Sequence, residues 1–355
     1  MKAKKQIDLK IVDWWDDNRD ADVERNPIIG VLKKHLAHKY DFKPSNNPKY
    51  LFYSVFGNSH LDYGWDCVRI CVAFENVYID WNLADYGIST HIMDFGERNL
   101  CIPHYFTPAR QNEVRLAVKK HLLCDKKEKF CSFVVSNGNA DKIREEFFEK
   151  LCEYKRVDSG GRWKNNIGAP VGDKQSFIQN YKFNLCFENS SAKGYVTEKL
   201  IQAFGAGCVP IYWGDESLCD EKYAHIRPVF NPKAFINVHN FDSIESAIKE
   251  IQRIDNDENA YNAMRKEPIF TPKSMERFFG LNPKDDLWSE QNIDFTAQAI
   301  IDKSEKLLVD FFDNIFEKGC KQIKYGQHIN THFHTMQKQN EIFKKLIWRI
   351  FYKKA

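Results

Sequence analysis

The stretch from residue 181 to residue 215, YKFNLCFENSSAKGYVTEKLIQAFGAGCVPIYWGD, constrains the fold of this chain more than any other. A short apolar run at 183–187 is followed by a polar loop, a helical apolar pattern and a second apolar run at 209–213. Gly205 and Gly207 end the helical pattern, because glycine commonly terminates helices. This order of segments predicts strand, helix and strand, which is the repeating unit of a parallel sheet.

The loop and helix start inside this stretch carry the residues best suited to an anion. A polar loop that leads from a parallel strand into a helix is where α/β proteins hold phosphates. Thr197 is the predicted N-cap, with Glu198 and Lys199 in the first turn. A lysine there opposes the helix dipole, so Lys199 either has an anionic partner or is a solvated surface side chain. With Asn189 and Tyr195, this set suits the phosphates and ribose of a nucleotide sugar.

The same alternation of strand and helix patterns extends over most of the chain. A charged break at 126–129 divides it, and the pattern restarts after the break. Two α/β halves that face each other across a cleft are therefore the predicted architecture. The apolar patterns that support it predict strands at 9–15, 50–56, 69–74, 85–89, 130–135 and 235–238, and helices at 28–38, 141–154, 175–181 and 244–254.

Composition limits the class of protein. With 355 residues, 43% hydrophobic and 14% aromatic, the chain can build two domains of ordinary size. A net charge of only +3 gives no reason to expect a nucleic-acid partner. The ten cysteines form no C-x-x-C pair and several lie in apolar runs, which favours buried free thiols over a zinc site or a disulfide framework.

Glu75 and a basic loop are further candidates for chemistry. Glu75 follows an apolar strand at the end where open α/β sheets bind ligands, so it is either a general base or an ordinary strand-end carboxylate. Arg162 and Lys164 lie in a glycine-rich loop that either covers a diphosphate or stays solvated. The sequence alone leaves both pairs of alternatives open.

No metal site is predicted. Two D-x-D sequences, at 20–22 and 255–257, lie in charged loops rather than after apolar strands. His328, His332 and His334 have no carboxylate or cysteine at ligand spacing, so we interpret them as polar helix surface.

Several motifs together resemble the α-1,3-fucosyltransferases of glycosyltransferase family 10. The segments that carry the resemblance are FNLCFENSSAKGYVTEKL, AGCVPIYWG, SFVVSNGNADKIREEFFEKL, SGGRWKNNIG and NPKAFINVHNF. The resemblance is strong from residue 129 to about 241 and weak before it. It implies a GT-B fold, with two Rossmann-like domains at 1–128 and 129–300, the second binding the donor, and C-terminal helices at 301–355.

The resemblance also implies an activity. This is transfer of L-fucose from GDP-β-L-fucose to the 3-hydroxyl of N-acetylglucosamine in N-acetyllactosamine-type acceptors, with inversion, to give a Lewis X-type product. Action on type 1 chains with 1,4 linkage, another nucleotide sugar, or a non-catalytic glycan-binding role are the alternatives. GDP-fucose is then the donor substrate, and neither a cofactor nor a metal is expected.

By the same resemblance, individual residues acquire roles. Asn189, Tyr195, Glu198 and Lys199 match the donor-binding positions, and Glu75, in VAFENV, matches the general base. The family's bacterial pattern has an arginine where this chain has Lys164, and Arg162 lies two residues earlier. Arginine binds phosphate bidentately and lysine does not, so which of the two contacts the diphosphate stays open.

The C-terminal segment EIFKKLIWRIFYKK, within residues 341–355, has an apolar stripe flanked by lysines and an arginine. A basic amphipathic helix of this kind favours an anionic membrane surface over packing on protein. The first ten residues are polar and basic and lack the apolar core of a signal peptide. We therefore expect a bacterial cytoplasmic enzyme of surface-polysaccharide synthesis, peripheral at the inner face of the membrane.

Overall fold

The computed structural model describes residues 3–15, 22–64, 66–123 and 126–319. Within them the strands form two separate parallel sheets, one of six strands and one of five. The α/β architecture predicted from the alternation of apolar patterns is therefore confirmed. Several of the described helices lie between consecutive strands, as crossover connections of parallel pairs commonly do.

The strands of the first sheet and the helices between and directly after them come from the first 122 residues. The elements are β1 (Lys5–Val12), α1 (Pro27–Leu36), β2 (Tyr40–Pro44), β3 (Tyr50–Tyr53), β4 (Val68–Ala73), β5 (Tyr86–Ser89), β6 (Asn99–Cys101) and α2 (Gln111–Val118). The strand order is β2-β1-β3-β4-β5-β6. Short 3₁₀ helices lie at Ser59–Asp62, Gly96–Arg98, His104–Phe106, Pro108–Arg110 and Lys120–Leu122.

The second sheet has the strand order β11-β10-β9-β7-β8. Its elements are β7 (Lys129–Phe133), α3 (Lys142–Tyr154), β8 (Val157–Ser159), α4 (Lys174–Ile178), β9 (Tyr181–Phe187), α5 (Glu198–Gly205), β10 (Val209–Trp213), β11 (Ile236–Asn237), α6 (Ile244–Asn256) and α7 (Glu258–Lys266). Further along lie 3₁₀ turns at Glu221–Tyr223 and Val238–Asn240, α8 (Pro272–Ser274), a π-helical turn at Met275–Phe279 and α9 (Ile293–Lys318).

Helix α9 returns the chain to the first sheet. Phe312 stacks on Phe52 of β3 with ring centroids 5.3 Å apart, and Phe316 lies edge-on to Tyr50 at 5.0 Å. The helix is continuous through residue 300, so the predicted boundary between 300 and 301 falls inside it. By its packing the whole helix belongs with the first half.

Two details of the predicted strands are corrected. β1 begins at Lys5 and ends at Val12 rather than spanning 9–15, because Asp13 adopts a left-handed conformation (φ 56°) that turns the chain out of the sheet. β2 was not predicted. Its sequence, YDFKP, has two exposed residues at its end, one of them proline, as edge strands tolerate.

No helix among the described residues is both long enough and apolar enough to cross a membrane. The segment 341–355 and the histidines at 328, 332 and 334 lie outside the described residues. Binding of that segment to an anionic membrane therefore stays a prediction.

Glu305 fastens α9 to the first half. Its buried carboxylate accepts hydrogen bonds from Lys34 Nζ (2.7 Å) and Gln111 Nε2 (2.9 Å) and lies 2.7 Å from His35 Nε2. Burial raises the pKa of this carboxyl, but the three partners outweigh burial and lower the pKa from 4.5 to about 2. The ionised form is therefore the one that stabilises the fold.

We predict that Glu305→Gln lowers the free energy of unfolding by on the order of 2 kcal/mol at neutral pH, since charge-assisted hydrogen bonds are lost. Because the folded pKa lies below the unfolded value, the advantage of the wild type is complete above about pH 4.5 and disappears as the pH falls towards 2. Urea unfolding of the wild type and the variant across this pH range measures the difference in their free energies of unfolding. Asp302→Asn, at an exposed position of the same helix, is the control, and an equal loss in both variants would contradict the prediction.

Candidate functional site

Glu188 is the anchor of the loop that follows β9. Its carboxylate is fully buried and accepts hydrogen bonds from the backbone N–H of Thr197 (2.7 Å), from the Thr197 hydroxyl (2.8 Å) and from Lys199 Nζ (2.8 Å). Thr197 precedes α5 as predicted, but its hydroxyl binds Glu188 instead of capping the helix. One carboxylate thus fixes both the start of α5 and the direction of Lys199.

Lys199 accordingly has an anionic partner, which is one of the two alternatives that the sequence left open. Its side chain is 14% exposed, and burial lowers the pKa of the ammonium. The charges of Glu188 and Glu198 outweigh burial and raise the pKa above its ordinary value. Lys199 is therefore a permanent positive charge at the N-terminal turn of α5, where backbone N–H groups also favour anions.

Glu198 points towards the first half of the chain. One of its carboxylate oxygens lies 3.2 Å from Nδ1 of His104, and Phe74 stacks on the His104 ring with centroids 5.6 Å apart. Burial raises the pKa of Glu198, but His104 and Lys199 together hold it well below its ordinary range. The site therefore contains an ionised carboxylate between the two sheets.

Glu75 contacts the loop after β9 directly. It lies two residues beyond the end of β4, and the Tyr195 hydroxyl donates a hydrogen bond to its Oε2 at 3.2 Å. Tyr195 is buried, and burial together with the charges of Glu188 and Glu75 raises the pKa of its phenol far above the ordinary value. The phenol therefore stays protonated and acts as a donor to Glu75.

A second contact joins the same two loops. The Asn76 side-chain amide donates to the Ser190 hydroxyl (2.6 Å), and its oxygen lies 2.8 Å from Nε2 of His91. Gly194 lies against the backbone of Thr90 with φ 93°, where an added Cβ would come within 2.3 Å of the Thr90 carbonyl oxygen. The loop after β9 is thus held close both to the loop after β4 and to the segment that follows β5.

Arg144 is one of the site residues that the sequence did not single out. It is buried in the first turn of α3, and its guanidinium donates to the Asn189 side-chain oxygen at 2.9 Å and to the backbone carbonyl of Asn137. Burial lowers its pKa, while the charge of Glu188 acts in the opposite direction. A helix that starts after an Asn-rich loop could have drawn attention to Arg144, because such helix starts hold anions.

The basic loop is placed differently from the other candidates. Lys164 pairs with Glu145 (2.6 Å) and Glu149 on the surface of α3, and these carboxylates raise the pKa of its ammonium. Arg162 is exposed, and its backbone N–H donates to the Ser136 hydroxyl. The structure brings together Glu75, Tyr195, Glu198, Lys199 and Asn189, whereas Lys164 is engaged by α3.

A cavity of about 840 Å³ opens beside Glu75, Glu198 and His104. This volume is within the range of small-molecule sites, roughly 300–1,000 Å³. Among the described residues no group of three or more histidine, cysteine or acidic side chains is arranged to hold a metal ion.

Comparisons with known proteins agree with this geometry. A sequence profile described as "Glycosyltransferase family 10 (fucosyltransferase) C-term" matches residues 124–266. A second, "Alpha-(1,3)-fucosyltransferase FucT N-terminal domain", matches residues 9–107. The two profiles together cover both sheets.

A relative from Helicobacter pylori, "Alpha-(1,3)-fucosyltransferase FucT", is 32% identical over 78% of this chain, and the match spans 63% of the relative's length. The solved "Crystal Structure of alpha1,3-Fucosyltransferase with GDP" has a TM-score of 0.63 and 26% identity, covering 85% of this chain and 92% of that one. The structure "with GDP-fucose" has a TM-score of 0.61 and 26% identity, covering 84% and 91%. The fold is that of a GT-B glycosyltransferase. The chain belongs to the fucosyltransferases of glycosyltransferase family 10.

We predict that Gly194→Ala lowers the free energy of unfolding by about 2 kcal/mol or more, because the left-handed backbone and the Thr90 carbonyl both exclude a Cβ. Thermal unfolding measures the loss. Gly172→Ala is the matched control, since an added Cβ there meets nothing within 4 Å. Equal melting temperatures for the two variants would refute the close approach of the loops.

Proposed function

We propose that the chain transfers L-fucose from GDP-β-L-fucose to the 3-hydroxyl of N-acetylglucosamine in N-acetyllactosamine-type acceptors, giving a Lewis X-type product. Family membership and the two similar structures named for GDP and GDP-fucose support this donor. The hydrogen bond from Tyr195 to Glu75 carries the proposal, because it joins a carboxylate of the first half to a loop of the donor half.

Inversion of a β-linked donor to an α-linked product requires a single displacement. In our proposal Glu75 accepts the proton of the acceptor hydroxyl while the oxygen bonds to the anomeric carbon of fucose. The bond from that carbon to the β-phosphate oxygen breaks at the same time, and GDP leaves with the electron pair. A base on one side and charge stabilisation on the other are the two requirements of such a step.

The charge on departing GDP needs fixed positive groups. Lys199, the N-terminal turn of α5 and the buried guanidinium of Arg144 are the groups that we propose for this task, with Asn189 beside Arg144 and Glu198 towards the sugar hydroxyls. We propose that these groups replace a divalent metal ion. Arg162 and Lys164 then have at most a secondary part in binding, because Lys164 already pairs with two carboxylates.

The first test concerns Glu75. We predict that Glu75→Gln lowers kcat by about 10²–10⁴-fold, since a general base contributes this much, and leaves GDP affinity nearly unchanged. Transfer assays and calorimetry with GDP measure the two quantities. Glu216→Gln is the control, because Glu216 is an exposed carboxylate that pairs with Lys193 of the loop after β9. A Glu75→Gln enzyme with wild-type turnover would exclude Glu75 as the base.

The second test ranks the candidates for the diphosphate. We predict that Lys199→Ala and Arg144→Ala each weaken GDP binding about tenfold or more, because a charge-assisted contact is worth about 1.5–3 kcal/mol. Lys164→Ala should change the affinity less than threefold, since its ammonium is already paired. Calorimetry with GDP gives all three values. A large loss for Lys164→Ala with a small loss for Arg144→Ala would reverse the ranking.

The alternatives are distinguished by substrate. A panel of GDP-fucose, GDP-mannose and UDP-sugars separates fucose transfer from transfer of another sugar, and linkage analysis on type 1 and type 2 acceptors separates 1,4 from 1,3 transfer. GDP binding without turnover on any acceptor would indicate a non-catalytic glycan- or nucleotide-binding protein.

The basic amphipathic pattern of residues 341–355 supports the further proposal that the enzyme works at the cytoplasmic side of an anionic bacterial membrane, in surface-polysaccharide synthesis.

A further inference from the structure

Two exposed aromatic side chains stand together at the ligand-binding edge of the first sheet. Trp15 follows β1 and is 72% exposed, and Phe56 follows β3 and is 44% exposed. Their ring centroids are 5.0 Å apart at an interplanar angle of 81°. β1 and β3 are neighbours, and both segments lie beyond the carboxyl ends of parallel strands, where open α/β sheets bind ligands.

The backbone is specifically arranged to hold this pair. Asp13 takes a left-handed conformation, which directs the chain out of β1. Its buried carboxylate accepts hydrogen bonds from the backbone N–H of Ser59 (2.8 Å) and of His60 (2.9 Å) and lies 2.6 Å from Nδ1 of His60. The segment that carries Trp15 is therefore tied to the segment that follows Phe56.

Gly57 shows how closely the two segments approach. A Cβ at this position would come within 2.5 Å of the Asp13 carboxylate. Single exposed hydrophobic side chains are common, but two exposed aromatic rings in contact, supported by an unusual backbone conformation, are typical of a binding surface. Both observations indicate a ligand that stacks on the pair.

The same cavity reaches the proposed base. Its lining includes Trp15 and Phe56 together with Phe74, Glu75 and His104. A molecule that fills this cavity therefore contacts both the aromatic pair and Glu75. The charged groups of the lining indicate which ligands the cavity favours. Arg25 pairs with Asp22 (3.5 Å), and Arg110 pairs with Glu113 (2.8 Å). Among the described residues that line the cavity, Glu75 and Glu198 are acidic and both arginines already have carboxylate partners, so this lining disfavours an anion.

We propose that Trp15 and Phe56 form a platform for a neutral sugar of the acceptor glycan, which stacks the C–H face of its pyranose ring on them. This inference rests on the proposed function, since it takes Glu75 as the base. Stacking buries apolar ring surface while the hydroxyl groups stay in water, a combination that suits aromatic side chains. The platform holds the acceptor, whereas the loop after β9 holds the donor.

The test is the acceptor KM of Trp15→Ala and Phe56→Ala with a neutral lactosamine glycan. Each variant should raise KM about tenfold or more, as expected for loss of roughly 60 Å² of buried apolar contact, while kcat stays within about threefold. Trp15→Phe should recover most of the affinity, because an aromatic face remains. GDP affinity, measured by calorimetry, should stay at the wild-type value in all three.

Phe295→Ala is the matched control, since Phe295 is 64% exposed and does not line the cavity. If both Trp15→Ala and Phe56→Ala kept the wild-type acceptor KM, the platform would be refuted. The proposed fucose transfer would not be affected by that result. Parallel loss of GDP affinity would also overturn it, because the pair would then support the fold or the donor. No transfer from GDP-fucose by the wild type would instead refute the proposed function.

A second arm tests the charge of the acceptor. The same glycan with a terminal sialic acid should be used at least about tenfold less efficiently, since the described lining carries the carboxylates of Glu75 and Glu198 and its two arginines are already paired. Equal kcat/KM for the two glycans would overturn the neutral-sugar part of the proposal.

Discussion

The arrangement of this site depends on a buried carboxylate that is matched by three donors. Glu188 is withdrawn from water, and an ionised side chain so placed is stable only when its partners are complete. Those partners are the backbone and hydroxyl of Thr197 and the ammonium of Lys199. Satisfying Glu188 therefore also fixes the first turn of α5 and leaves a positive charge at its start.

Around this anchor, each half contributes something that the other lacks. The second half supplies Lys199, Arg144 and the protonated phenol of Tyr195, but the carboxylate that Tyr195 meets comes from the loop after β4. Asn76 joins these two loops directly, and Gly194 lets the loop after β9 approach the segment that follows β5. A change of a few tenths of an ångström in either loop would therefore alter the relation between the proposed base and the donor.

Local sequence patterns predicted most of the fold, because apolar periodicity and glycine positions act over a few residues. The strand, helix and strand of the opening stretch are found as β9, α5 and β10. The eight cysteines among the described residues are free thiols, as predicted. The edge strand β2 was missed because solvent exposure and a proline weaken its apolar pattern.

The site was harder to predict, since its contacts join residues that are far apart in sequence. The sequence indicated an anionic partner as one alternative for Lys199 but treated Glu188 as part of a polar loop. Arg144 looked like one charged residue of an amphipathic helix, and only the folded chain shows its guanidinium buried beside Asn189. The contact between Glu75 and Tyr195 spans 120 residues, which no local pattern can report.

The return of α9 to the first sheet has a consequence for biosynthesis. Phe312 and Phe316 complete a core with aromatic residues of β3, which are translated more than 250 residues earlier. The strands of the second sheet all leave the ribosome before this helix does, and domains generally fold as units during synthesis. We therefore expect the second half to reach its final structure first, while the first half waits with an uncovered apolar face until α9 is synthesised.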